Sequence, residues 1–202
     1  MIRNIIFDLG GVLLNLDLER SSNAFRDLGM NEIDEQFRIG HASGIFKEYE
    51  IGTVDDQTFL EALRSRIGDT VSTEAVRDAW NAMLLDFPPE RIEYLSRLKN
   101  KYRVFLFSNT NGLHWQAFQD KFAAAFNGQQ FDDYFEKAYY SHLVAVRKPD
   151  LKAYQLVCEE QQLVPAETLF VDDAESNIAG ALRAGLQTFH ITNGRTVLDL
   201  NL

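Results

Sequence analysis

Short apolar runs recur along the chain, and each ends on polar residues or glycine. Ile2–Phe7 (IRNIIF) stops at Asp8 and the pair Gly10-Gly11, Arg103–Phe107 (RVFLF) at Ser108-Asn109, and Thr168–Val171 (TLFV) at Asp172-Asp173. Glu136–Tyr140 and Gln187–Ile191 are weaker examples. A brief continuous apolar run bounded by turn residues is the pattern of a strand buried on both faces of a parallel sheet. Between the later runs the period changes to that of a helix. Ile92, Leu95 and Leu98 share a face behind Pro89, which suits a first helical position. Asp150 is a candidate N-cap before Tyr154 and Val157, and Gly185 can end a helix carrying Ile178 and Leu182. Alternating strands and helices predict an α/β fold, a Rossmann-like parallel sheet of about five strands with helices on both faces.

Residues 15–87 break the rhythm, with helical spacing and no good strand. Leu18, Ser22, Phe25 and Leu28 form one face, closed by Gly29; Phe59, Leu60, Leu63 and Ile67 form another, begun near Thr53 and closed by Gly68. Val76, Trp80 and Met83 form a third behind Ser72 or Thr73. The expected organisation is a Rossmann-like core from residues 1–14 and 88–202, with a small all-helical insertion at 15–87. Pro88-Pro89 marks the return to the core.

Composition narrows the function. At 202 residues the chain can bury a core without disulfides. A formal charge of −10 argues against nucleic acid or an anionic membrane as partner, but not against a small anion held in one locally cationic cleft. The single cysteine, Cys158, has no partner for an internal disulfide and reads as a packed core thiol, which fits a cytoplasmic location. The N-terminal apolar run is broken by Asp8 and makes a poor signal peptide. No stretch approaches the roughly 20 apolar residues of a membrane span.

In an open α/β sheet, ligands bind at the carboxyl ends of the strands. Those ends offer Asp8, Gly10 and Gly11; then Ser108, Asn109 and Thr110; then Asp172 and Asp173. Lys148, in the segment RKPD, adds a cation. Carboxylates crowded into one cleft raise one another's pKa, and a hard divalent cation such as Mg²⁺ relieves them. With Lys148, a metal would also screen a carboxylate nucleophile approaching a phosphate. Any one of these residues alone has an ordinary structural reading as a cap, turn or solvated lysine; together they point to phosphate chemistry.

The four segments FDLGGVLL, FLFSNTN, VRKPD and FVDDAESNIAGA resemble, in order, the four motifs of the haloacid dehalogenase superfamily, and the resemblance spans essentially the whole chain. The helical insertion is similar to the small cap of that family's first subclass. The resemblance implies Asp8 as nucleophile, with Ser108 and Lys148 in the catalytic set. It implies Ser108, Asn109, Lys148 and Gly11 as phosphate-binding residues, and Asp8, the Gly10 carbonyl, Asp172 and Asp173 around Mg²⁺. Asn177 stands where many relatives carry an acid. The implied partner is a small phosphorylated metabolite, with the protein a monomer or weak dimer.

One position departs from that pattern. Phosphatases of the family usually carry a second Asp two residues after the nucleophile, which protonates the leaving group and then activates water; here it is Gly10. DLGGVLLNLD resembles a bacterial branch containing sugar-phosphate phosphatases, including one for glucose 1-phosphate. An anomeric leaving group needs less protonation, so a sugar 1-phosphate is the favoured substrate. Asp17 is a candidate substitute acid. The alternatives are a phosphate-binding or regulatory protein with weak turnover, and a metal-free dehalogenase, which the acid pair Asp172-Asp173 argues against. In the insertion, GHASGIFKEYEIG offers His41 and Lys47 toward a leaving group, or is simply a turn between helices. Arg147 either strengthens the anion site or points to solvent.

Overall fold

The computed structural model describes residues 1–34, 44–68, 70–200 and 202; His41 lies outside them. Five strands, β1 (Asn4–Phe7), β2 (Arg103–Ser108), β3 (Lys137–Tyr140), β4 (Thr168–Asp172) and β5 (Gln187–His190), form one parallel sheet in the order β3-β2-β1-β4-β5. Side chains alternate between its faces, as the period of a strand requires. Ile5, Phe7, Leu106 and Val171 join a core with Ile92, Leu95, Phe118 and Phe122. Ile6, Phe105, Phe107 and Phe170 join a second core with Tyr154, Val157 and Ala181 on the other side. Register places the chemistry: Phe7 pairs with Leu106 on one side and Val171 on the other. Asp8 and Asp172, each one residue beyond, therefore emerge side by side at the carboxyl edge, with Ser108 one residue further along β2.

Among the described residues four helices follow β1: α1 (Leu18–Asp27), α2 (Ile45–Glu50), α3 (Asp56–Ile67) and α4 (Thr73–Asn81). They enclose a third core of Phe25, Phe46, Phe59, Val76 and Trp80, closed by Leu113 from a later helix at Gly112–Ala125. The helix expected near Thr53 begins at Asp56, because the Asp55 side chain accepts the Thr58 N–H at 2.7 Å. The segments entering and leaving this helical layer run antiparallel and pair at Leu16 and Leu84, with Asn15 N–H donating to Asp86 O and Asp17 N–H to Met83 O, each at 2.9 Å. The remaining helices, α5 (Pro89–Leu98), α6 (Gly112–Ala125), α7 (Ser141–Val144), α8 (Leu151–Glu160) and α9 (Glu175–Arg183), belong to the sheet.

The helical layer presses closely on the sheet edge. Tyr49 of α2 accepts the Leu113 N–H at 2.9 Å and donates to Asp56 at 2.6 Å. Gly52 sits at φ +73°, and a Cβ there would overlap the His142 carbonyl. Gly52→Ala is therefore expected to destabilise the protein by at least about 2 kcal/mol, from left-handed strain plus a backbone clash, as read in denaturant melts.

Candidate active site

Asp8 is the first residue past β1, held by its N–H to Val171 O at 2.9 Å. The Lys148 ammonium donates to Asp8 Oδ1 and Asp172 Oδ2, both at 2.7 Å, and is fully buried between them. Asp172 is held from three sides. Besides Lys148, it accepts the Ala174 N–H at 2.8 Å, and Asn177 Nδ2 bridges both its oxygens at 3.1 Å. Asp173, beside it, is exposed. One oxygen from each of Asp8, Asp172 and Asp173 lies within 4.8 Å of the others.

The Asp8 carboxyl is pushed up to about 7, chiefly by burial, with Lys148 opposing the rise and Asp172 and Asp173 adding to it. Burial and Asp172 raise Asp173 likewise. For Lys148 burial acts the other way, but Asp172 and Asp8 outweigh it and hold the lysine charged. One ammonium thus serves a cluster of three carboxylates, leaving an excess of negative charge. An all-oxygen donor set with that charge fits a hard cation of the Mg²⁺ type, which takes carboxylate and carbonyl ligands.

Next to this cluster is a cavity of about 210 Å³ lined by Gly10, Ser108 and Asn109 together with Phe46, Glu50 and Trp80. At Gly10 a Cβ would lie 2.6 Å from Leu16 Cδ1, so Leu16 occupies the space that a longer side chain would need.

The family model for haloacid dehalogenase-like hydrolases matches residues 2–185. The chain belongs to that family. A D-ribitol-5-phosphate phosphatase of Bacteroides thetaiotaomicron is 33% identical over 196 residues, covering 96% of this chain and 94% of its own. A sesquiterpene phosphatase of Aspergillus oryzae is 26% identical over 190 residues, covering 93% and 89%. Among solved structures, a HAD family enzyme from Bacteroides thetaiotaomicron in complex with magnesium and inorganic phosphate superposes with a TM-score of 0.91 at 35% identity, covering both chains completely.

In this hydrolase several residues expected to hold phosphate do other work. Asn109 Nδ2 donates to Lys148 O and its Oδ1 accepts the Lys148 N–H, both at 2.9 Å. Its amide positions the lysine main chain instead of reaching for a ligand. The Gly11 N–H donates to Leu14 O at 2.9 Å, so it closes the loop on itself. What Gly11 supplies is room: it sits at φ +72°, and a Cβ would overlap the Asp173 carboxylate. Asp17, the candidate acid, caps α1 by accepting the Glu19 N–H at 3.1 Å, and it does not line the cavity. Lys47 does not line the cavity either; from the same segment, Phe46 and Glu50 do. Ser108 is buried and lines the cavity mouth.

Two positioning pairs are not apparent from local sequence. Ser141 accepts the Thr110 N–H and donates to Thr110 O, both at 2.9 Å, fixing the loop after β2. Arg147 pairs with Glu50 of α2 at 2.7 Å, tying the helical layer to the lysine loop. His114, stacked on Trp80, accepts the Asn111 amide on Nδ1 and donates from Nε2 to Trp80 O at 3.1 Å. The Nδ1 bond requires the neutral ring, whereas the bond to Trp80 O also suits the charged one; burial outweighs the latter and pushes the pKa down to about 4. The unfolded chain then binds the extra proton between about pH 6.5 and 4, so stability falls as pH drops through that window. We expect about 2 kcal/mol to be lost between pH 7 and 5. A His114→Gln variant would show a flatter loss in thermal melts.

Proposed function

We propose that this hydrolase is a Mg²⁺-dependent phosphatase acting on a small phosphate monoester through a phosphoryl group carried on Asp8. The observation that carries this reading is the buried Lys148 bonded to both Asp8 and Asp172. It fixes one Asp8 oxygen and leaves the other to act as nucleophile.

Asp8 and Asp173 with the Gly10 carbonyl would hold the metal directly. Asp172, already engaged by Lys148, Asn177 and a backbone N–H, supports them. Bound there, Mg²⁺ would neutralise the carboxylates and withdraw charge from the phosphoryl oxygens. Ser108 and the loop N–H groups after β2 orient those oxygens. Asp8 attacks phosphorus, the ester oxygen departs, and water then releases phosphate from Asp8. Lys148 screens the repulsion between nucleophile and ester throughout. At Gly10 no acid protonates the leaving group, a help typically worth about 10²–10⁴-fold elsewhere. Among sugar phosphates this favours 1-phosphates over the matching 6-phosphates. The named relatives include one whose substrate is a polyol 5-phosphate and one sesquiterpene phosphatase, so relatives alone leave the alcohol open. A buried lone thiol at Cys158 suits the reducing cytoplasm, where we place the enzyme.

Phosphate release from sugar phosphates, nucleotides and p-nitrophenyl phosphate, with Mg²⁺ and with chelator, tests this reading. Mg²⁺-dependent release with glucose 1-phosphate ahead of glucose 6-phosphate is expected. Equal or reversed rates would remove the 1-phosphate preference, and no release at all would overturn the phosphatase.

A further inference from the structure

We infer that the alcohol this enzyme releases is a compact apolar phenol, so that its preferred substrate is a single-ring aryl phosphate. The inference rests on the phosphatase reading and names the leaving group. Two independent features carry it.

The first is the cavity wall. Apolar side chains supply most of it, among them Leu16, Leu18, Phe46, Trp80, Met83 and Phe118. Its polar side chains are largely engaged elsewhere. Glu50 pairs with Arg147, Asn109 holds the Lys148 main chain, and Asn111 and His114 bond each other and Trp80. Ser108 and Thr110 remain. A sugar would bring several hydroxyls into a space offering them few partners, and each buried unpaired hydroxyl weakens binding. At the same time Leu16 and Leu18 are 38% and 58% exposed, large apolar side chains left open on the cavity rim. A volume of about 210 Å³ suits one substituted ring, since an apolar cavity of about 150 Å³ takes up benzene.

The second is the lack of an acid at Gly10. The position carries no side chain to donate a proton, and Leu16 Cδ1 lies 2.6 Å from where a Cβ would stand. The leaving group must therefore depart unprotonated, and a phenol, with a pKa of about 10, does so far more readily than an alkyl alcohol. In the step, an Asp8 oxygen forms the bond to phosphorus while the phosphorus–oxygen bond breaks. The electron pair leaves with the phenolate, which takes its proton from water. A water oxygen then attacks phosphorus, regenerating the Asp8 carboxylate and releasing inorganic phosphate, with the water proton passing to solvent.

The test compares kcat/KM for 4-ethylphenyl phosphate, phosphotyrosine, 2-phenylethyl phosphate and glucose 1-phosphate, with acetyl phosphate as a check on turnover. 4-Ethylphenyl phosphate is expected to lead each of the other three esters by at least tenfold. Phosphotyrosine has a similar leaving oxygen but a charged tail, and 2-phenylethyl phosphate is equally apolar but leaves as an alkoxide. Leu18→Gln, at an exposed position, should shrink the lead over phosphotyrosine. Parity with phosphotyrosine, 2-phenylethyl phosphate or glucose 1-phosphate, or an unchanged ratio in Leu18→Gln, would overturn the inference while leaving Mg²⁺-dependent phosphatase activity standing. No release from any ester or from acetyl phosphate would overturn the phosphatase reading itself, and the inference with it.

Discussion

Asp8→Asn is expected to lower phosphate release by at least about 10⁴-fold, the scale seen when a covalent nucleophile is removed. Without metal, it should leave the melting temperature equal to or above that of the unaltered protein. The two expectations have one cause. On the proposed role Asp8 is placed for attack against the interest of the fold, with its carboxylate buried near two others and Lys148 alone among the described residues bonded to offset them. An amide of the same shape still accepts from Lys148 and removes one negative charge from the cluster. A structural Asp would behave oppositely, losing stability with little effect on turnover. Steady-state release and thermal melts on the same preparation separate the two.

Lys148→Met is expected to damage both properties. The ammonium is fully buried and bonded to two carboxylates, so its removal strands both in a site of low polarity. Removing one partner of a buried ion pair typically costs about 3–5 kcal/mol. Turnover should fall by at least about 10³-fold, because Asp8 loses both its orientation and the charge that screens it from the phosphate. The sign of the pH response distinguishes this from a packing defect. Stranded carboxylates have raised pKa values and take up protons in the folded state. Relative to the unaltered protein, the variant should therefore recover stability as pH falls from 7 toward 5, and Mg²⁺ at neutral pH should recover part of it. Both follow from equilibrium denaturation. A loss of stability independent of pH and Mg²⁺ would indicate packing alone.

The three central strands were legible because they are buried on both faces, which writes them as apolar runs, whereas the half-buried edge strands β3 and β5 gave weaker signals; all five appear within one or two residues of their expected positions. Polar residues at the ends of such runs marked the catalytic edge, since nothing else stops a buried strand so abruptly. Side-chain direction was not legible. Asn109 stands beside Ser108 in sequence but turns to the main chain of Lys148, 39 residues away. Gly11 reads as a phosphate loop, whereas its missing Cβ makes room for Asp173. Helix α6 was hard to see because both of its sides are apolar, Leu113 facing the helical layer and Phe118 and Phe122 the sheet core, which blurs its amphipathic signal. Glu50 was hidden for another reason. It sits in a charged run, KEYE, where nothing local distinguishes the acid that pairs across to Arg147 from the one left in solvent.

The central claim is that phosphate passes through Asp8 with no acid at Gly10 to speed its departure. The most direct measurement is the mass of the Asp8 peptide after acid quench during steady turnover of p-nitrophenyl phosphate with Mg²⁺. Because no general base at Gly10 activates water, the phosphorylated form should accumulate on that peptide and be absent with chelator or in Asp8→Asn. Phosphate release that proceeds with Asp8 unmodified, and persists in Asp8→Asn, would contradict the account.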